Sequence, residues 1–259
     1  MAITFDRTNW SQLEVPMHLG WRDLRSRYAQ TKIGPWWSAS SLLIIVVGIS
    51  LSTGLLTGNT ALQQAPKIAV AMGFWTFVSG VLTEATDTFV TDRSILLNTT
   101  ISDSVMTLRL LWRNYLILLH NSIVMLLFLL VSQAPLITFF KLFILMVFFA
   151  PLLCGSMFVP AFLFSRFGAF NRDLRVFLTT GIQLNFFMTP ILWDPPEAGP
   201  MRFVFLINPL GWTIQFAKEF IFNPVIPVKL FCVLALITTA LSLAFLVVRQ
   251  RLTSIKKFL

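Results

Sequence analysis

The sequence predicts an all-α membrane protein with six transmembrane helices, and three observations carry that prediction. First, 56% of the 259 residues are apolar and only 12% are charged, whereas a soluble domain carries about a quarter charged. In water a chain this apolar would expose large patches that aggregate. Second, the apolar residues gather into six runs long enough, or nearly so, to cross about 30 Å of hydrocarbon as helix. These runs are 36–56, 68–90, 110–131, 142–164, 176–193 and 230–248. Third, the basic residues fall between the runs and favour one side. Helices are expected because a backbone in lipid must satisfy its own hydrogen bonds, and the alternating pattern of a barrel is absent.

The orientation follows from the Lys and Arg count. Arg7, Arg22, Arg25, Arg27 and Lys32 precede the first run, and Arg93, Arg109 and Arg113 follow the second. Arg166, Arg172 and Arg175 follow the fourth, and Arg249, Arg251, Lys256 and Lys257 close the chain. The alternate side receives Lys67, Lys141, Arg202, Lys218 and Lys229. Fifteen against five places both termini in the cytoplasm. The formal charge of +9, a nucleic-acid signal in a soluble domain, is therefore read as membrane orientation, with no nucleic-acid partner.

Residues 1–35 form a cytoplasmic segment without the apolar core of a signal peptide, so the first run is expected to direct insertion itself. Within this segment Met17, Trp21, Leu24 and Tyr28 recur at helical steps on one face. Arg22 and Arg25 flank that face on one side and Arg27 on the other, which predicts an amphipathic helix in the cytoplasmic interface. The simpler reading is a basic anchor that only sets orientation. Gly34-Pro35 then turns the chain into the first span.

The connection 194–227 holds six of the thirteen prolines: Pro195, Pro196, Pro200, Pro209, Pro224 and Pro227. Its apolar pieces, 201–207 and 210–222, are shorter than a span. Two short re-entrant helices dipping back from the outer face are expected, with Asn208-Pro209 as the turn between them. The whole chain, 1–259, then reads as one membrane domain. It comprises the interface segment 1–35, spans one to five over 36–193, the connection 194–227, and span six with a cytoplasmic tail over 228–259.

No phosphate-cradling G-x-x-x-x-G-K-[ST] run is present, so any ATP must be bound by another chain. No carboxylate pair, Ser-His-Asp set or Cys-His set recurs at catalytic spacing, and Cys154 and Cys232 sit singly in apolar stretches without a metal or disulfide motif. Catalytic residues and a metal site are not expected.

Four segments carry a family resemblance. RDLRSRYAQTKIGPWW (22–37) resembles the N-terminal signature of permease subunits of bacterial ATP-binding-cassette polysaccharide exporters. FWTFVSGVLTEATDTFVTD (74–92), FNRDLRVFLTTGIQLNFFMTPILWDPP (170–196) and NPLGWTIQFAKEFIF (208–222) agree with that family in order and spacing. The stretch SILLNTTISDSV (94–105) departs from the Lys-rich, Pro-containing form many members carry. The resemblance implies a homodimer of six-helix subunits in the bacterial inner membrane, with two cytoplasmic ATPase subunits that bind ATP and Mg. It implies export of a lipid-linked glycan of the O-antigen, capsule or teichoic-acid kind. The helices between spans five and six would form a gate on the outer face, with Asn208 and Pro209 at its turn.

Under that resemblance, coupling to the ATPase runs through the two internal loops. Arg93, Ser94, Ile95 and Leu96 are expected to form a short docking helix, with Asn171, Arg172, Asp173 and Arg175 as the second contact. Solvated polar loops that only set orientation are the simpler alternative. Glu84 and Asp87 lie three residues apart on one helix face. Their expected role is an electrostatic tie to Arg22 or Arg25 that closes the cytoplasmic entrance; otherwise they reach the headgroups. His120 and Asn121 fit hydrogen bonds to a neighbouring helix better than sugar contacts.

Phe74, Trp75, Phe77, Phe186, Phe187 and Trp193 are candidates to line a path on which a polymer slides. Trp36, Trp37, Trp112 and Trp193 also fit an interfacial belt. An ion-driven transporter is a second class of reading, but neither inverted repeats nor a mid-span acid pair is visible. A membrane enzyme acting on lipid-linked sugars is a third, and only Glu84, Asp87 and Asp92 approach a clustered site.

Overall fold

The computed structural model describes residues 11–58, 60–99, 101–195 and 199–225, with scattered residues between 227 and 243. Every regular element among them is a helix. The sixth expected span, 230–248, falls mostly outside the described residues, and the basic tail from Arg249 to Lys257 falls wholly outside them.

The chain opens on α1 (Ser11–Arg27), turns through Gly34-Pro35, and enters α2 (Trp36–Thr57) and α3 (Ala61–Thr91). A short α4 (Arg93–Asn98) leads to α5 (Asp103–Val131). The next run is built from α6 (Leu136–Ile144), a π-helical turn (Leu145–Phe149), α7 (Ala150–Ser156) and α8 (Phe158–Phe170). Its interruptions have identifiable causes. Pro151 has no N–H to donate back into the Leu145–Phe149 turn, and Pro160 crowds the carbonyl four residues earlier, next to the break at Met157. Four stretches, α2, α3, α5 and Leu136–Phe170, are long and apolar enough to cross a membrane.

The expected fifth span appears as a helix with different limits. Its helix, α9 (Asp173–Met188), starts earlier than 176 and stops before 193. Thr189 precedes Pro190 and is pushed into extended backbone (φ −94, ψ 139), because a residue before proline clashes in the helical region. Sixteen residues rise about 24 Å, less than the ~30 Å of a hydrocarbon core. Two short helices follow, α10 (Pro200–Ile207) and α11 (Pro209–Phe222), meeting at the expected Asn208-Pro209 turn.

α3 is the axis of the bundle, packed by α2, α5, α8 and α11. Phe74, Phe77, Val78, Val81 and Ala85 on it are fully buried. α2 instead turns Ile44, Leu51 and Leu55 outward, which suits a helix facing lipid. Small residues set the closest crossings, as expected where packing replaces the hydrophobic effect. A Cβ on Gly168 of α8 would lie 2.0 Å from the Thr86 carbonyl oxygen of α3, and one on Gly20 of α1 2.9 Å from the Arg109 carbonyl oxygen of α5.

Candidate functional site

Polar side chains concentrate at two ends of the bundle. Glu84 marks one and Lys67 the other, about 25 Å apart along α3.

At the Glu84 end, α1 lies against α5. Its buried stripe is Pro16, Gly20 and Leu24, spaced by four residues, while Met17 and Trp21 are exposed. The expected apolar face is thus rotated. Leu24 belongs to the bundle face, because Gly20 lets α1 approach the α5 backbone, and Met17 with Trp21 is left outward.

Asp23 and Arg27 point inward from α1. Glu84 Oε1 accepts from Arg27 Nη1 at 2.7 Å, and Glu84 Oε2 accepts from Arg113 Nη2 at 2.7 Å and Asn114 Nδ2 at 2.8 Å. Asp23 accepts from Arg109 Nε and lies 3.8 Å from Arg113 Nη1. Arg109 Nη1 reaches Asp92 at 3.1 Å. Arg166 pairs with Asp103 at 3.2 Å and Arg175 with Asp87 at 2.5 Å, joining α8 to α5 and α9 to α3. Five guanidiniums thus face five carboxylates. Arg109 and Arg113 each meet two acids, a task for which the planar fork of arginine is suited. A polar cavity of about 400 Å³ lies among these groups, lined by Asp23, Arg27, Glu84, Asp92, Arg109 and Arg113.

Two pKa shifts follow from this setting. Burial pushes the Asp92 carboxyl upward, outweighing the pull of Arg109, and Asp23 adds to the rise. Burial opposes the charge on Arg27, but Glu84 outweighs it and holds the guanidinium above its usual value.

The expected tie from Glu84 and Asp87 to Arg22 or Arg25 is corrected. The partners are Arg27 and Arg113 for Glu84, and Arg175 for Asp87. On an α-helix Arg27 stands four residues from Asp23 on the same face and, though exposed, reaches Glu84, whereas Arg22 and Arg25 are exposed without an ion pair. Tyr28 is half-buried just beyond α1.

Both internal connections reach this same end. α4 carries the expected Arg93, Ser94, Ile95 and Leu96; Leu96 is buried against Phe89 and Met106, with Ala169 of α8 beside them. Arg93 and Ser94 are exposed. In the second connection the Asn171 side chain accepts from the Asp173 N–H at 3.0 Å and shapes the entry to α9. Asn171, Arg172, Asp173 and Arg175 are all exposed. Among the described residues, Arg22, Arg25, Arg93 and Arg172 enter no ion pair.

At the other end, α11 is tied to the turn after α9. The buried Lys218 ammonium donates to the Pro190 carbonyl at 2.9 Å, the Trp193 carbonyl at 3.2 Å and Asp194 Oδ1 at 2.8 Å. Burial lowers the Lys218 pKa. Burial also works against the Asp194 charge, but Lys218 prevails and holds that carboxyl below its usual value. Asn208 caps α11 by accepting from the Leu210 and Gly211 N–H groups, and its amide donates to Thr189 Oγ1 at 3.0 Å.

The aromatics expected along a path divide. Phe74, Trp75 and Phe77 are corrected to packing residues: all three are buried in this chain, Phe74 against Phe149 and Trp75 against Phe186. They sit on the buried faces of the axial helix, away from its half-buried stripe Thr76, Ser79, Thr83 and Asp87. Phe186 and Trp193 are half-buried and Phe187 is exposed. Asn121 donates to Thr76 of α3, the interhelical hydrogen bond expected of it; His120 instead bonds the Leu116 carbonyl of its own helix and meets Trp36 edge-on.

Asp23, Arg109, Arg113, Asn114 and Lys218 were not among the sequence candidates. One signal was available for the first three, since Asp23/Arg27 and Arg109/Arg113 each repeat at four-residue spacing. Lys218 carried only its oddity as a cation inside an apolar run. No protein-family model matches this chain, and no characterised protein matches it in sequence.

Proposed function

We propose that this chain is the permease subunit of an ATP-driven exporter of lipid-linked polysaccharide, of the O-antigen class, in a bacterial inner membrane. In this reading it works as a homodimer with two cytoplasmic ATPase chains. Each subunit has six spans, with the short α9 as the core of the fifth, and both termini inside, and α10 and α11 form the outer gate. The ATPase chains bind ATP and Mg, and this chain provides the path and no catalytic group.

One observation carries the reading. Two connections that each join a pair of long helices meet at one end of the bundle and keep Arg93 and Arg172 exposed, while the inward arginines there are paired. Cations left over after internal pairing are available to acids on a partner, and a connection tied to two helices passes motion into both. The four resembling segments supply the chemistry of the cargo, and the missing phosphate loop supplies the need for a second chain.

The test is co-purification with the ATPase encoded beside this chain, followed by ATP turnover with and without lipid-linked glycan. Charge reversal at Arg93 and Arg172 is expected to reduce the ATPase recovered. Full recovery from both variants would remove the loops as docking sites. Absence of glycan-stimulated turnover in the intact complex would remove the cargo assignment.

A further inference from the structure

The ion pairs at the Glu84 end form one alternating chain, and its course has a mechanical meaning. It runs Arg27, Glu84, Arg113, Asp23, Arg109, Asp92. The sign alternates at every step, and the chain passes between three helices: Asp23 and Arg27 on α1, Glu84 on α3 with Asp92 at its end, Arg109 and Arg113 on α5. Asp92 is also the residue that opens α4, where its carbonyl accepts from the Leu96 N–H at 3.0 Å. Asp23 is the crossing point. It is the one α1 carboxylate in the chain, and both α5 arginines that hold it also hold an acid at the α3 side.

We propose that α1 is a strap held to the bundle by this ladder, and that a displacement at α4 is passed through Asp92 and Arg109 to Asp23 and so loosens α1. Asp23, Asp92 and Arg109 are positioning residues in this scheme. The proposal rests on α4 being the connection that a partner moves, but the linkage between Asp92 and α1 is a property of this chain alone. Among the described residues of α1 the fully buried stripe is Pro16, Gly20 and Leu24, in which Leu24 is the large apolar side chain, and the ion pairs add to that contact. The geometry further requires a fork. Arg109 uses Nε for Asp23 and Nη1 for Asp92, and a lysine ammonium, a point charge on a flexible stem, cannot span both acids in fixed register.

The reporter is Pro16, buried on the bundle face of α1 and about 10 Å along the helix from Asp23. Pro16→Cys is made in the full chain with Cys154 and Cys232 replaced by alanine, and the protein is placed in lipid nanodiscs. Labelling by a water-soluble maleimide is timed without any ATPase. The cysteine is expected to react slowly in the parent. Asp92→Asn, Arg109→Gln and Arg109→Lys are each expected to speed labelling about tenfold or more, and Lys32→Gln, an exposed cation outside the ladder, to leave it unchanged.

If Arg109→Gln does not yield a monodisperse protein, Asp92→Asn decides, since that side chain lies at the margin of the bundle. Labelling within twofold of the parent in Asp92→Asn overturns the linkage. Slow labelling in Arg109→Lys overturns the fork, and reduces the ladder to a simple positive charge. Because no partner is present, loss of ATPase co-purification with these rates as expected would retire the functional reading and leave the ladder standing.

Discussion

Gly168→Ala tests the tightest approach of a glycine to an opposing backbone among the described residues. The new Cβ would sit 2.0 Å from the Thr86 carbonyl oxygen, 2.8 Å from its carbonyl carbon and 2.9 Å from its Cα. Recovering an ordinary 3.4 Å contact requires α8 to part from α3 by roughly 1.4 Å. Overpacking costs about 1–3 kcal/mol, and the upper end applies because the obstructing atoms are backbone and no rotamer can move them aside. For a chain of this size each kcal/mol shifts the midpoint by about 2–4 °C, so a loss on the order of 6–12 °C is expected. The control is Gly155→Ala on α7, where nothing lies within 4 Å of the added Cβ. There the gain in helix propensity is worth up to about 1 kcal/mol.

The assay is thermal midpoint in one detergent, read as the monodisperse fraction after heating. The separation should also disturb what α8 delivers to the Glu84 end: Ala169 against Leu96, and Arg166 against Asp103. If Gly168→Ala and Gly155→Ala melt together, α3 and α8 do not cross at backbone contact, and the placement of the second internal connection beside α4 loses its basis.

Two further outcomes are expected. Lys218→Met should lower the midpoint more than Asp194→Asn, because two carbonyls lose their donor, each such bond being worth about 1.5–3 kcal/mol, whereas the Asp194 side chain is 68% exposed and keeps water. The depressed Asp194 pKa contributes stability that is present above the ordinary value of 3.8 and is lost as pH falls through the depressed one. Lys218, lowered by burial, gives up its proton below the ordinary 10.5. Hydrogen exchange over 189–194 should therefore stay protected above the ordinary carboxylate value of 3.8 and weaken as pH falls through the depressed Asp194 value; loss of protection between about pH 5 and 7 contradicts the assignment. For topology, single cysteines at Gly199 and Val225 should react with an impermeant thiol reagent added outside cells, and one at Ser254 should not. Labelling of Ser254 from outside would mean that the connection spans, and the six-span reading would have to be withdrawn.

The sequence by itself determined the class of molecule and most of its helices. Apolar runs with few charges admit one solvent, and proline with glycine marks where the helices cannot continue. The first four runs appear as helix, the first at its expected limits and the next three six or seven residues longer at one end or both, and the short helix at Arg93 and the Asn208-Pro209 turn were legible from local chemistry. Even the early end of α9 was written in Pro190, although the apolar run continued past it.

The tertiary structure alone decided which faces meet. Met17, Trp21 and Leu24 share a stripe in the sequence, yet Gly20 rotates Leu24 into the bundle and leaves the other two outside. Phe74 and Phe77 are aromatic in any reading, but only their place on the buried faces of the central helix makes them packing residues. The pairing of Glu84 with Arg27 and Arg113, and of Lys218 with two carbonyls, joins positions 25 to 57 residues apart. The reason is that periodicity and propensity act within one helix, over a turn or two. The partner of a buried charge is set by how helices cross, which depends on small residues such as Gly20 and Gly168 whose effect is visible only when the opposing backbone is in place.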